Sequence, residues 1–158
     1  MTPSQPETTK ARPLRTFQVS VDIAAPPQRV WAVTTDVEHW PEWTESVVSA
    51  RRLDTGPFRV GSRARIRQPG FLPALWEVTE LDPGRSFTWV TSAPGMRAAG
   101  HHRVDPIPTG SRATLSVTFE GLLGGLVSGL MARTTERFLG LEAVGLKKRS
   151  ETATARLA

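Results

Sequence analysis

The sequence predicts an α+β fold: seven antiparallel strands in one curved sheet, wrapped around a long C-terminal helix, with two short helices after the first strand. Three observations carry this. Seven short runs alternate apolar and polar residues, the period of half-buried strands. Gly- and Pro-containing turns separate the last six runs closely enough for consecutive hairpins rather than parallel crossovers. From about residue 124 apolar residues recur every three or four positions, so one amphipathic helix closes the chain.

The elements follow in order. Residues 1–13, MTPSQPETTKARP, are rich in Pro, Thr, Ser and Gln and lack an apolar run. They read as a disordered lead-in, not a signal peptide. A single domain is expected over 14–150, with a tail at 151–158. In LRTFQVSVDI, Phe17, Val19, Val21 and Ile23 form the inward face of the first strand. Pro26 and Pro27 stop it, and Pro27 suits the first turn of a helix because that turn needs no N–H. Val30, Val33 and Val37 share one face of that helix, and Pro41 ends it, so HWPEW should form a second short helix or turn.

The next six strands are read in SVVSARRLD, RVGSRARIRQ, ALWEVTELD, SFTWVTSA, RAAGHHRVD and SRATLSVTFE. DPGR, with Pro83 and Gly84, fits a type II turn. In the final helix Leu126, Val127, Leu130, Met131, Thr134, Phe138, Leu141 and Gly145 make the expected inward stripe.

Composition excludes several functions. There is no cysteine, hence no disulfide, thiolate metal site or cysteine nucleophile; this suits a reducing cytoplasm, the expected location. No Gly-x-Ser-x-Gly elbow is present, and GLLGGLVSG lacks the phosphate-loop lysine. The longest apolar run, at 121–132, is too short to span a bilayer, which takes about 20 residues. Net charge is +5, yet Arg63, Arg65 and Arg67 alternate along one strand and read as a solvated stripe. No specific nucleic-acid partner is expected. His101 and His102 are adjacent in a strand and leave on opposite faces, with only His39 besides, so no metal site is expected. No cofactor is implied, and no pattern sets an oligomeric state.

Three segments, PPQRVWAVTTDVEHWPEW, ALWEVTELDPGRSFTW and GLLGGLVSGLMARTTERFLGLEAVGLKKR, resemble in this order the START-like (SRPBCC) superfamily, specifically its polyketide cyclase/dehydrase-like branch. The resemblance covers nearly everything after Arg15. It implies a helix-grip fold with a deep cavity between sheet and long helix, closed at its mouth by the short helices. It also implies a partner: an apolar or amphipathic small molecule, lipid- or polyketide-like. The alternative is a cyclase or dehydratase that moves protons with cavity polar groups.

Alternation then assigns the wall. Trp76, Trp89 and Phe119 face inward from the strands and Leu130 and Thr134 from the helix, while the resemblance implies that Trp40 and Trp43 sit at the mouth. Such rings are ordinary core residues as well as ligand walls, and Trp40 reads first as core. His102 shares the inward face with Ala98, Gly100 and Val104, and its proton affinity suits acid–base work. It competes with the reading of a satisfied structural histidine. Arg52 and His102 are the catalytic candidates, with Glu80 a further interior polar residue. There is no tyrosine, and this sparse polar inventory favours a binder over an enzyme.

Overall fold

Alternating side chains and glycine turns shape the sheet. In the computed structural model, which describes residues 15–155, the elements are β1 Arg15–Ile23, α1 Pro27–Thr35, a 3-10 helix Val37–Glu42, β2 Ser49–Arg52, β3 Arg63–Arg67, β4 Ala74–Asp82, β5 Ser86–Ala93, β6 Met96–Ile107, β7 Gly110–Glu120 and α2 Gly124–Ala155. The lead-in expected at 1–13 lies outside the described residues, as do residues 156–158. All strand pairs are antiparallel, in the order β1-β7-β6-β5-β4-β3-β2. This is the seven-stranded sheet gripping a helix that the alternation predicts.

Local chemistry explains the turns and faces. At DPGR, Gly84 has φ 77° and the Arg85 N–H donates to the Asp82 carbonyl at 3.0 Å. Ala64 and Ile66 are buried while Arg63, Arg65 and Arg67 are exposed, as strand period requires. β1 and β2 occupy opposite edges, so the connection bearing the short helices crosses from one edge to the other. Its Val30 is buried with Val104, Ala113 and Leu146, which wedges α1 between sheet and α2.

The helix departs from expectation in phase and in length. Its buried seam is Ser128, Thr135, Leu139, Ala143, Leu146 and Ser150, whereas Leu126, Leu130 and Val144 are exposed. The beginning of α2 carries apolar residues all round, so periodicity does not fix which of them face the sheet. The small buried residues do, because they allow close approach. Helix also continues through Ala155, so the expected tail is helical over its first five residues, 151–155.

Gly145 is the tightest point. A methyl there would overlap the backbone carbonyl oxygen of Trp43, which cannot swing aside as a side chain could. Gly140, one turn earlier, has nothing within 4 Å of that position. Gly140→Ala is therefore expected to stabilise by about 0.5–1 kcal/mol through helix propensity. Gly145→Ala should destabilise by about 1–3 kcal/mol, because overpacking exceeds the same gain. Urea unfolding of the two variants checks the opposite signs.

Candidate functional site: an apolar cavity with a buried His–Glu pair

Between the curved sheet and α2 the side chains leave a cavity of about 560 Å³. That lies within the roughly 300–1,000 Å³ of small-molecule sites. Its inner end is made by the buried residues Trp40, Val47, His102 and Leu115. Trp76, Trp89 and Phe119 wall it from the sheet, and Met131, Thr135 and Leu139 from α2. It opens where Phe71 and Leu72, on the β3–β4 turn, stand opposite Phe138 of α2. The Phe71 and Phe138 rings meet edge to face at 6.2 Å, while Leu72 is 88% exposed.

Backbone choices set the walls. A Cβ on Gly100 of β6 would lie 2.7 Å from Trp89 Nε1. The glycine therefore provides the slot that lets the indole lie against the sheet. Trp76 and Trp89 face each other at 5.4 Å with a 37° tilt, forming one broad aromatic wall.

One buried polar pair interrupts this apolar lining. His102 Nε2 and Glu142 Oε1 are 2.7 Å apart, with the two side chains 7% and 12% exposed. The ring of His102 stacks on Phe87 at 4.6 Å and 11° and touches Trp40 at 5.4 Å. His102 Nδ1 is buried with no hydrogen-bond partner among the described residues. An Nε2–H donated to the Glu142 carboxylate leaves Nδ1 a lone pair, a smaller penalty than an unpaired N–H. The pair can thus hold one proton at the cavity's inner end and pass it to or from an oxygen bound there.

The sequence-derived candidates divide clearly. Trp76, Trp89, His102 and Phe119 line the cavity. Leu130 is 78% exposed and Thr134 is off the wall; their neighbours Met131 and Thr135 take the expected places, because the helix is rotated by about one residue. Trp43 is not at the mouth. It packs beside Gly145 in a separate, shallower depression with Lys148 and Arg149. Trp40 is the indole that reaches the cavity, and its N–H is spent on the Thr34 carbonyl at 3.1 Å, so it offers only its ring. The short helices accordingly close the inner end, and the mouth lies at the other end of the sheet.

The other two polar candidates lie outside the cavity. Arg52 donates to Asp54 Oδ2 at 2.6 Å and to the Gly56 carbonyl at 2.8 Å, tying down the β2–β3 connection. Glu80 is exposed on the outer face and accepts from Thr88 Oγ1 at 3.3 Å. His101, also on that face, bonds Thr88 Oγ1 at 2.9 Å, and burial together with the neighbouring His102 pushes its pKa down. Glu142 was absent from the sequence-derived set. Its signal is the i, i+4, i+7 spacing of Thr135, Leu139 and Glu142, legible only once the helix phase is known.

An antiparallel sheet that wraps a helix and keeps an apolar cavity between them defines a helix-grip fold. The chain belongs to the polyketide cyclase/dehydrase and lipid transport family, whose model matches residues 15–151. It is 34% identical over 88 residues to a Streptomyces halstedii protein named "Putative polyketide cyclase", covering 56% of this chain and 70% of that one. An uncharacterized Mycobacterium tuberculosis protein is 26% identical over 102 residues, 62% of this chain and 61% of its own length; the chain thus spans less than two thirds of that relative. Among solved structures, the Zhui aromatase/cyclase of Streptomyces sp. R1128 superposes with a TM-score of 0.72 at 18% identity, covering 89% of this chain and 95% of that one. A START superfamily protein of Mycobacterium smegmatis gives 0.67 at 16% identity, covering 87% and 98%. At these identities the structural likeness is one of fold.

Two expected outcomes follow from the polar groups. Glu142→Leu alone strands a buried imidazole and should cost about 1–3 kcal/mol. His102→Phe combined with Glu142→Leu should recover most of that loss, since apolar replacement of a buried pair is often neutral or stabilising. A double-mutant cycle in urea measures the difference. For Asp54, burial opposes ionisation, but bonds from the Arg63 N–H, Arg52 and Ser62 outweigh it and hold its pKa below the ordinary 3.8. Its stabilisation is therefore present above that value and lost as pH falls through the lower folded-state pKa. Asp54→Asn should be less stable than wild type at pH about 7, with the gap narrowing as pH falls below 3.8 and through the lower folded-state pKa; urea midpoints at neutral and acid pH read it.

Proposed function

We propose that the protein binds an apolar or amphipathic small molecule, lipid- or polyketide-like, in the cavity between sheet and α2. The carrying observation is the cavity itself: about 560 Å³ walled by Trp76, Trp89, Phe119 and Leu139, with its polar pair confined to the inner end. Apolar surface removed from water contributes about 25 cal/mol per Å². A few hundred square ångströms of ligand then suffice for micromolar affinity after association costs. The family description, which joins cyclases with lipid transport, supports the same class of ligand.

A second reading rests on a separate observation, the His102–Glu142 pair. Facing a bound chain of carbonyl groups, it would take a proton from one carbon and return it to an oxygen, the step that cyclisation and dehydration share. The Streptomyces halstedii relative's name supports that reading.

Titration with N-phenylnaphthylamine tests the binding reading. Wild type should show saturable, micromolar binding with quenching of tryptophan emission. Thr135→Phe and Met131→Trp, which occupy the wall and the approach to it, should each weaken the probe about tenfold or more while unfolding remains cooperative. Unsaturable binding by wild type, or unchanged affinity in both variants, contradicts the reading. Glu142→Gln separates the two: a binder keeps its ligand unaltered, whereas an enzyme loses turnover of a poly-β-ketone substrate.

A further inference from the structure

One end of the molecule is free of charge along three separate stretches of chain. Residues 68–76 (QPGFLPALW), 86–96 (SFTWVTSAPGM) and 121–132 (GLLGGLVSGLMA) contain no charged side chain. The topology brings their tips together. The β3–β4 turn meets α2 through Phe71 and Phe138, and the Leu123 N–H donates to the Gly95 carbonyl of the β5–β6 turn at 2.9 Å. The exposed residues of this cap are large and apolar: Leu72 is 88% exposed, Leu122 98%, Leu126 64% and Leu130 78%. Each stretch has an arginine at one flank, Arg67, Arg97 and Arg133, and the acids at the opposite flanks of two, Glu77 and Glu120, are paired with Arg63 at 3.2 Å and Arg97; Arg15 pairs in register with Phe119 at the same edge. Arg97 is engaged by Glu120 at 2.7 Å; Arg67 and Arg133 have no acidic partner among the described residues. The nearest acid beyond Arg133 on α2 is Glu136.

We infer that this cap docks on an anionic lipid bilayer surface, with the leucines entering the interface and the arginines meeting the headgroups. Three observations select this occupant. An uncharged apolar tip girdled by cations matches the layering of an anionic membrane surface. Leu72 and Leu122 project from different turns and are almost wholly exposed, a convex shape that a fluid layer accommodates and a rigid protein partner or second copy covers poorly. The cap is also continuous with the cavity mouth, since Phe71 and Leu72 belong to both. No helix is long and apolar enough to cross the membrane among the described residues, so the contact is interfacial. Docking stands on the exposed surface and does not depend on what occupies the cavity.

Flotation of the full chain with phosphatidylcholine vesicles, with and without phosphatidylglycerol, tests it, alongside sedimentation equilibrium in the absence of lipid. The chain should float with the anionic vesicles and be released as salt rises, because the arginine contribution is screened. Leu72→Glu with Leu122→Glu should lower the bound fraction about tenfold or more, and Val144→Glu, on α2 but outside the cap and 67% exposed, should leave it unchanged. Unaltered near-ultraviolet dichroism and an unaltered urea midpoint would show that the double variant is folded, and N-phenylnaphthylamine binding by wild type, measured separately, keeps failure of docking distinct from failure of the cavity reading. Wild type that does not float overturns the inference, as does equal flotation of the double variant. A concentration-dependent dimer dissolved by Leu122→Glu overturns it too, and assigns the cap to self-association.

Discussion

The close seating of the C-terminal half of α2 determines the rest of the molecule. Gly145 lets the helix backbone press on the Trp43 carbonyl, and Ala143, Leu146 and Ser150 are buried around it. α2 then runs along β1 and β7 and has little contact with β6. A straight helix pinned at one end and along one side of a curved sheet must diverge from the remaining strands. Over β3 to β6 the gap is filled partly by Trp76 and Trp89, and what they leave is the cavity. The void is thus a consequence of helix placement, not of a local shortage of large side chains.

The same geometry explains why a polar pair sits where it does. His102 on β6 and Glu142 on α2 meet at 2.7 Å near the point where helix and sheet begin to part. Phe87, stacked on the imidazole, and Trp40, tilted against it, cover its faces. Taking both groups out of water carries a desolvation cost that their hydrogen bond must offset. Packing alone would favour two apolar residues here.

How much of this was legible in the sequence depended on which period carried the information. Period two holds along most of the strands, so Ala64, Ile66, Trp76, Trp89, His102 and Phe119 fell on the correct face, and the glycine turns gave the order of strands; a register shift between Val78 and Glu80 breaks the period in β4, pairs Glu80 with the outward Thr88 and so turns that expected interior residue outward. The long helix offered no such constraint. Leu126 and Leu130 look like core residues, while the seam actually uses Ser128 and Thr135; a register error of one residue put Leu130 and Thr134 on the wall and hid Glu142. The tryptophans of HWPEW were exchanged for a different reason. Their order in space depends on the 3-10 geometry around Pro41, which turns Trp40 inward and Trp43 toward Gly145. Arg52 failed as a cavity group because a loop carboxylate, Asp54, captures it only two residues away, a contact that strand alternation cannot anticipate.

The cavity has a direction as well as a volume. At its inner end are Trp40, His102 and Glu142; at its mouth are Phe71, Leu72 and Phe138, with no charge in the turn that bears the first two. A ligand with one polar terminus and an apolar body, in the reading proposed above, enters polar end first, because only the inner end offers it hydrogen bonds in exchange for lost water. Its apolar remainder then lies between the Trp76–Trp89 wall and α2, and its tail points to the uncharged cap. A molecule apolar at both ends would leave the His102–Glu142 pair facing hydrocarbon, and one polar at both ends would leave its second polar group among Phe71, Leu72 and Phe138. On that reading, length and the placement of a single polar group, rather than detailed shape, would decide which ligand the cavity takes.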